Sequence, residues 1–246
     1  MWMGSHKLHF LMVLLFLLIT ANTVCAKTYL VSVGIADYPG TNNDLALPTR
    51  DATTITALYS RNSQVTYKQL LNAQASRKNI LSALRTVFAQ AGSNDIVVFF
   101  FSGHGYEGGL VAYDGLLSYT EVRKAMAKSK SRNKMIFADA CFSGQFRQEA
   151  SSSSQTTSSY KKANVMLFLS SRSNETSIES PGMSNGFFTT YLQKGLRGNA
   201  DANRDRVITA RELFNFVQQG VVSLSHGRQH PVMWGNFSDN MPVMRW

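Results

Sequence analysis

Five short, mostly apolar runs recur along the chain: "KTYLVSVGI" (27–35), "QVTYKQLL" (64–71), "DIVVFFF" (95–101), "KMIFADA" (134–140) and "NVMLFLSS" (164–171). Runs of this length and apolarity read as buried strands. Between and after them lie stretches with helical spacing, "RDATTITALYS", "SRKNILSALRTVFAQAG", "SYTEVRKAMAKS", "NGFFTTYLQKGLRG" and "ARELFNFVQQG". Ser76 and Ser118 stand where N-caps are expected, and Gly92 where the second helix should stop. Strand and helix alternate, which predicts an α/β chain with a mostly parallel sheet and helices on both faces.

In open α/β sheets the reactive groups gather beyond the carboxyl ends of the strands. Two of the runs end in such groups: "VVFFFSGHG" delivers His104 and "KMIFADAC" delivers Cys141. A lone buried cysteine is most often a small hydrophobe. A cysteine and a histidine at two strand ends, the histidine between Gly103 and Gly105, instead suit nucleophilic catalysis. The imidazole takes the thiol proton and later returns it to a leaving amine. Glycine beside the histidine permits close backbone approach, and the N–H groups of Gly105 and Cys141 are natural donors to an oxyanion.

The N-terminus tells where the thiol works. Lys7 precedes "LHFLMVLLFLLIT" and then the small-residue stretch "ANTVCA", the build of a secretory leader cleaved after Ala26. An uncleaved anchor is the competing reading, but the apolar run falls short of the roughly 20 residues that span a bilayer. Residues 27–246 then form one domain, large enough for a substantial core. Of the two cysteines in the chain, cleavage removes Cys25, so no disulfide within the chain is expected and Cys141 stands alone. The formal net charge is +10. Its basic residues are scattered, without a dense run or interleaved aromatics, which argues against a nucleic-acid partner.

Two loops have their own signatures. Residues 146–164, "FRQEASSSSQTTSSYKKAN", are rich in Ser and Thr and read as an exposed flexible loop, with Arg147, Lys161 and Lys162 near its ends. Residues 201–212, "DANRDRVITARE", place Asp201, Asn203, Asp205 and Glu212 at the first, third, fifth and twelfth positions of an EF-hand-like calcium loop. Val207 offers its carbonyl and Thr209 its hydroxyl or a bridging water. The sixth position, ordinarily glycine, is Arg206.

Together, "FFFSGHG" and "FADACFSG" resemble the motifs of caspase-like cysteine peptidases (clan CD, C14), nearest to metacaspases and bacterial caspase-like proteins. The likeness extends to "VGIADYPG", "LPTRDATTITALYS", "LFLSSRSNETSIES", "SNGFFTTYLQKGL" and "RQHPVMWG". It implies a caspase-like three-layer fold and a His104/Cys141 dyad acting on protein or peptide substrates. No cofactor is required; stimulation by calcium and self-cleavage in the 146–164 loop are the additional features it suggests. Caspases proper carry Gln two residues before the nucleophile and Arg after it, whereas this chain has Asp139 and Phe142. By similarity to metacaspases, Asp51, Ser102 and Asp139 match positions lining the pocket for the residue before the cut. An extended strand puts Asp139 on the same face as Cys141, and two carboxylates in one pocket favour Arg or Lys there. A peptidase with Asp preference, and a catalytically silent protein that keeps the fold for binding, are the alternatives.

Overall fold

The computed structural model describes residues 26–40, 42–106, 109–140, 165–172 and 182–245. In chain order its first elements are β1 (Thr28–Gly34), α1 (Pro48–Tyr59), β2 (Val65–Leu71), α2 (Arg77–Phe88) and β3 (Ile96–Ser102). Next come β4 (Gly105–Tyr106), β5 (Gly109–Ala112), β6 (Gly115–Ser118), α3 (Tyr119–Ala127), β7 (Asn133–Asp139) and β8 (Val165–Leu169). The last are α4 (Phe187–Lys194), β9 (Val207–Thr209), α5 (Ala210–Leu224), β10 (Val232–Gly235) and β11 (Pro242–Arg245).

All five apolar runs are strands of one sheet, in the order β10-β8-β7-β3-β1-β2. Every neighbouring pair is parallel except β10 with β8. Because side chains alternate across a strand, β1 and β3 feed two cores. Val31, Val33, Val97 and Phe99 pack with residues of α2 and α3, while Leu30, Val98 and Phe100 pack with residues of α1, α4 and α5. Helices therefore cover both faces, as the alternation predicts.

The edges depart from that reading. β2 is mostly exposed along its length, with Leu70 its one buried residue and Tyr67 51% exposed. It ends the sheet, and its Thr66 and Lys68 face water rather than a second core. β10 and the small β4-β5-β6 and β9-β11 sheets carry too few residues to stand out as periodic runs.

The helix signals hold at the starts and less well at the stops. Ser76 Oγ accepts from Asn79 N–H, and Ser118 Oγ accepts from Glu121 N–H in a full capping box. Gly92, however, does not end α2. The helix finishes at Phe88 with Ala89 as its cap, and Gly92 N–H donates to Asp95 Oδ2 (2.8 Å) in the turn leading to β3. A carboxylate three residues on captures this amide, so no left-handed glycine cap is needed.

At the end of α1, Tyr59 is 1% exposed and its hydroxyl has no hydrogen-bond partner among the described residues. A buried hydroxyl without a partner loses its hydration and gains nothing in return. Tyr59→Phe is therefore expected to raise stability by about 1 kcal/mol in urea denaturation; a loss of stability would show that the hydroxyl is bonded.

Candidate active site

Register brings the strand ends level. Gly34 of β1 lies opposite Ser102 of β3, and Ser102 lies opposite Asp139 of β7. Ser102 and Asp139 extend the alternation of Phe100 and Phe137, which belong to the core under α1, α4 and α5, so both turn toward that side. There they meet Asp51, in the first turn of α1. A carboxylate at this point is favoured by the helix dipole, and the Ser32 hydroxyl, donating to the Ala52 carbonyl (3.1 Å), ties the same turn to β1.

Asp51 and Asp139 are only 2% and 7% exposed, so their oxygens depend on protein donors. Asp51 Oδ2 accepts from Ser102 Oγ (2.9 Å); its Oδ1 accepts from Asn185 Nδ2 (2.8 Å) and Gly186 N–H (3.1 Å). Asp139 Oδ2 accepts from the Thr189 N–H (3.2 Å) and hydroxyl (2.8 Å). Gly186, the residue before α4, lies between the two acids. A methyl group on it would stand 2.6 Å from Asp139 Oδ2 and 3.5 Å from Asp51 Oδ2, so glycine is what allows both carboxyls to close on this turn. Burial, and then the neighbouring charge of Asp139, push the Asp51 carboxyl up to about 8, against the opposing pull of its hydrogen bonds.

His104 follows the end of β3 by two residues. Its Nε2–H donates to the Asn43 carbonyl (2.8 Å); because a carbonyl only accepts, this contact holds the proton on Nε2 and leaves Nδ1 as the basic nitrogen. The Tyr38 ring packs on the imidazole with centroids 4.9 Å apart. The Tyr38 hydroxyl accepts from the His104 backbone N–H (3.0 Å) and donates to the Val111 carbonyl (3.0 Å). Gly103, with φ +156°, is required here because a Cβ would come within 2.6 Å of that hydroxyl; its freedom serves Tyr38. Its N–H donates to the Asp139 carbonyl (3.2 Å), tying the histidine's turn to the end of β7. Gly105 opens β4, opposite Leu110.

Beyond Asp139, the Ala140 N–H donates to Ser170 Oγ (3.2 Å), and that hydroxyl donates back to the Ala140 carbonyl (3.1 Å). Gln229, fully buried, donates to the Ser170 carbonyl (2.8 Å). These contacts hold the residue immediately before Cys141. Cys141 itself, the 146–164 loop and residues 1–25 of the leader lie outside the described residues.

Asp51, Ser102 and Asp139 are thus brought together, with His104 on the adjoining turn. Of the groups that position them, Tyr38, Ser170, Asn185, Gly186, Thr189 and Gln229 lie inside segments of the family likeness and Asn43 outside them, but their types and spacing assign none of them a role. Asn185-Gly186 directly before a helical stretch has the composition of a helix start.

The 201–212 loop lies apart from this site. Asp201 accepts from the amides of Asp205 (3.2 Å) and Arg206 (3.0 Å), Asn203 from Asp205 (3.0 Å), and Asp205 from Val207 (2.8 Å). Arg206 takes the left-handed conformation, φ 66°, that the sixth position demands. Glu212 accepts from the Thr209 hydroxyl (2.7 Å) and N–H (3.0 Å) in a capping box, and from Ala202 N–H (3.3 Å). Among the described residues no group of three or more His, Cys, Asp or Glu is placed to hold a metal ion. As arranged, Asp201, Asn203 and Asp205 accept from the loop's own amides.

A mostly parallel sheet between two helical layers, with a tautomer-locked histidine at one strand end and a cysteine just past the next, defines a caspase-like α/β protein. The caspase-domain family model matches residues 28–241, and the chain belongs to that family of cysteine peptidases. Similar solved structures include a Geobacter sulfurreducens protein, at 17% identity and TM-score 0.64, covering 89% of this chain and 97% of that one. Caspase-1 from Spodoptera frugiperda is similar at 15% identity and TM-score 0.62, with coverage of 87% and 88%. No curated protein matches the sequence. No helix among the described residues is long and apolar enough to cross a membrane.

The raised Asp51 carboxyl has a consequence for folding. Between its unfolded value of 3.8 and its folded value of about 8, the unfolded chain gives up a proton that the folded chain keeps. Stability contributed by this group therefore falls as pH rises through that window. Denaturation between pH 5 and 8 is expected to show a shallower decline in Asp51→Asn than in the wild type. Parallel pH profiles would remove the carboxyl as the cause.

Proposed function

We propose that this protein is an active endopeptidase that cleaves after Arg or Lys, exported through its N-terminal leader to an extracytoplasmic compartment. The observation that carries the specificity is the convergence of Asp51 and Asp139 on the Gly186 turn. Two buried carboxyls beside one another are relieved by a cation between them, and a planar guanidinium or an ammonium supplies it. An aspartate side chain would add a third negative charge.

Each catalytic role falls to an atom with a physical reason. His104 Nδ1 takes the thiol proton of Cys141, and the thiolate attacks the scissile carbonyl carbon. The resulting oxyanion is held by the N–H groups of Gly105 and Cys141. His104 then gives its proton to the departing amine as the C–N bond breaks, leaving an acyl-enzyme; water, deprotonated by the same nitrogen, attacks it and releases the new carboxylate and the thiol. The Asn43 carbonyl stabilises the imidazolium between these transfers and is the orienting group of the dyad, with no side chain needed there.

Self-cleavage after Arg147, Lys161 or Lys162 belongs to the same reading, since those basic residues lie in a Ser/Thr-rich segment close after the nucleophile. Calcium stimulation is also part of it. Binding at 201–212 would require Glu212 to exchange its helix cap for the ion, so the expected affinity is weak, on the order of millimolar. Cleavage of aspartyl substrates is the reading that the acid pair disfavours, and a silent scaffold is disfavoured by the retained His104 and Cys141.

Peptide hydrolysis by purified wild type, Cys141→Ala and His104→Ala, with and without calcium, tests the proposal. Each variant is expected to lose activity by at least about a thousandfold while keeping its fold, and Arg or Lys substrates are expected to exceed Asp substrates by at least about a hundredfold in kcat/KM, a few kcal/mol of charge recognition. KM for an Arg substrate should fall as pH rises toward 8, as Asp51 becomes able to pair with the cation. Intact masses of wild type and Cys141→Ala report self-cleavage. Near wild-type turnover by Cys141→Ala would sink the dyad, and equal cleavage after Asp would sink the acidic pocket.

A further inference from the structure

At the opposite pole of the sheet, where β1, β2 and β3 begin, the structure holds a concavity of about 620 Å³. This is within the range of about 300–1,000 Å³ usual for sites that bury a small molecule. Its lining is mostly apolar, with Leu58 near the end of α1, Ile96 at the start of β3, Leu196 just past α4 and Met244 of β11, and includes Thr28, Tyr59, Asn62 and Ser63. Around it stand Arg61, Arg197 and Arg245, all exposed, and no acidic residue lines it.

None of these arginines has an ion pair or side-chain hydrogen bond among the described residues. Elsewhere exposed arginines do find partners: Arg77 pairs with Glu121, and Arg211 with Asp239 at 2.8 Å. Three like charges brought to one apolar mouth repel one another, and an anion between them removes that repulsion. Guanidinium groups are suited to carboxylate because their paired donors match its two oxygens, while their stems lie along apolar surface.

We infer that this concavity is a binding site for a free fatty-acid carboxylate, with the acyl chain against Leu58, Ile96, Leu196 and Met244 and the carboxylate among Arg61, Arg197 and Arg245. Each half of the site selects one half of the ligand. A small hydrophilic anion gains nothing from Leu58, Ile96, Leu196 and Met244, and the arginine rim repels a cationic amphiphile with the same tail. The site is separate from Asp51, Ser102, Asp139 and His104, which lie at the other ends of the strands.

Isothermal titration of the purified chain with laurate, below the concentration at which laurate self-associates, tests the inference. Acetate supplies the head alone, and dodecyltrimethylammonium the tail under the opposite charge. Laurate is expected to bind saturably at one site, and the Arg61→Gln/Arg197→Gln/Arg245→Gln protein to bind it at least tenfold more weakly while unfolding at an unchanged temperature. Acetate and the cationic amphiphile are expected to show no saturable binding. The inference is overturned if laurate does not bind, if the triple variant binds it as well as wild type, if acetate binds as tightly as laurate, or if the cationic amphiphile binds equally.

Discussion

Strand β3 is buried along all seven of its residues, and a strand with no solvent face must be paired on both edges and covered on both sides. β1 and β7 supply the edges in parallel, and the two helical layers supply the covers. Parallel pairing in this register has a further effect, because it sets Gly34, Ser102 and Asp139 side by side. Whatever the chain carries just beyond these positions is delivered to one small region at the carboxyl edge. The candidate chemistry therefore depends on apolar burial some distance from it.

The acid pair is costly to bury. Burial favours the protonated form of Asp51, and the neighbouring charge of Asp139 adds to that tendency. Ser102, Asn185, Gly186 and Thr189 offset part of this cost with directed hydrogen bonds. Three of those four groups belong to the start of α4 and the turn before it. That helix is anchored in turn by Phe188, whose ring meets Phe168 of β8 edge-on at 5.0 Å and 85°. An aromatic contact in the core thus governs where the donors to the acids sit.

α1 and α4 each run between the two poles of the molecule. α1 carries Asp51 at one end and approaches the basic cavity with Leu58 at the other; α4 begins beside Gly186 and leads to Leu196 and Arg197. The poles have opposite electrostatic character, carboxyls at one and guanidinium groups at the other, and strongly basic composition alone gives no hint of that division.

Much of the fold follows from local pattern. The buried strands β1, β3, β7 and β8 are mostly apolar, and β3 and β7 end in the first residues of "SGHG" and "DAC", so the sheet, its parallel character and the positions of His104 and Asp139 could be read from the chain. Ser76 and Ser118 were equally readable as caps because a cap is made with residues three positions away. What depends on partners distant in sequence was hidden. The exposure of β2 follows from its place at the sheet edge, the proton position on His104 from the carbonyl of Asn43, and the closeness of Asp51 to Asp139 from a glycine 47 residues beyond the second acid. Glu212 illustrates the same division: its spacing from Asp201 fits a calcium ligand, while the capping box it makes with Thr209 is visible only in the folded chain. Sequence determined which residues lie buried in strands and which follow them, because burial is written in local apolarity; tertiary structure decided which oxygens and nitrogens meet, because a hydrogen bond depends on distances set by the whole packed chain.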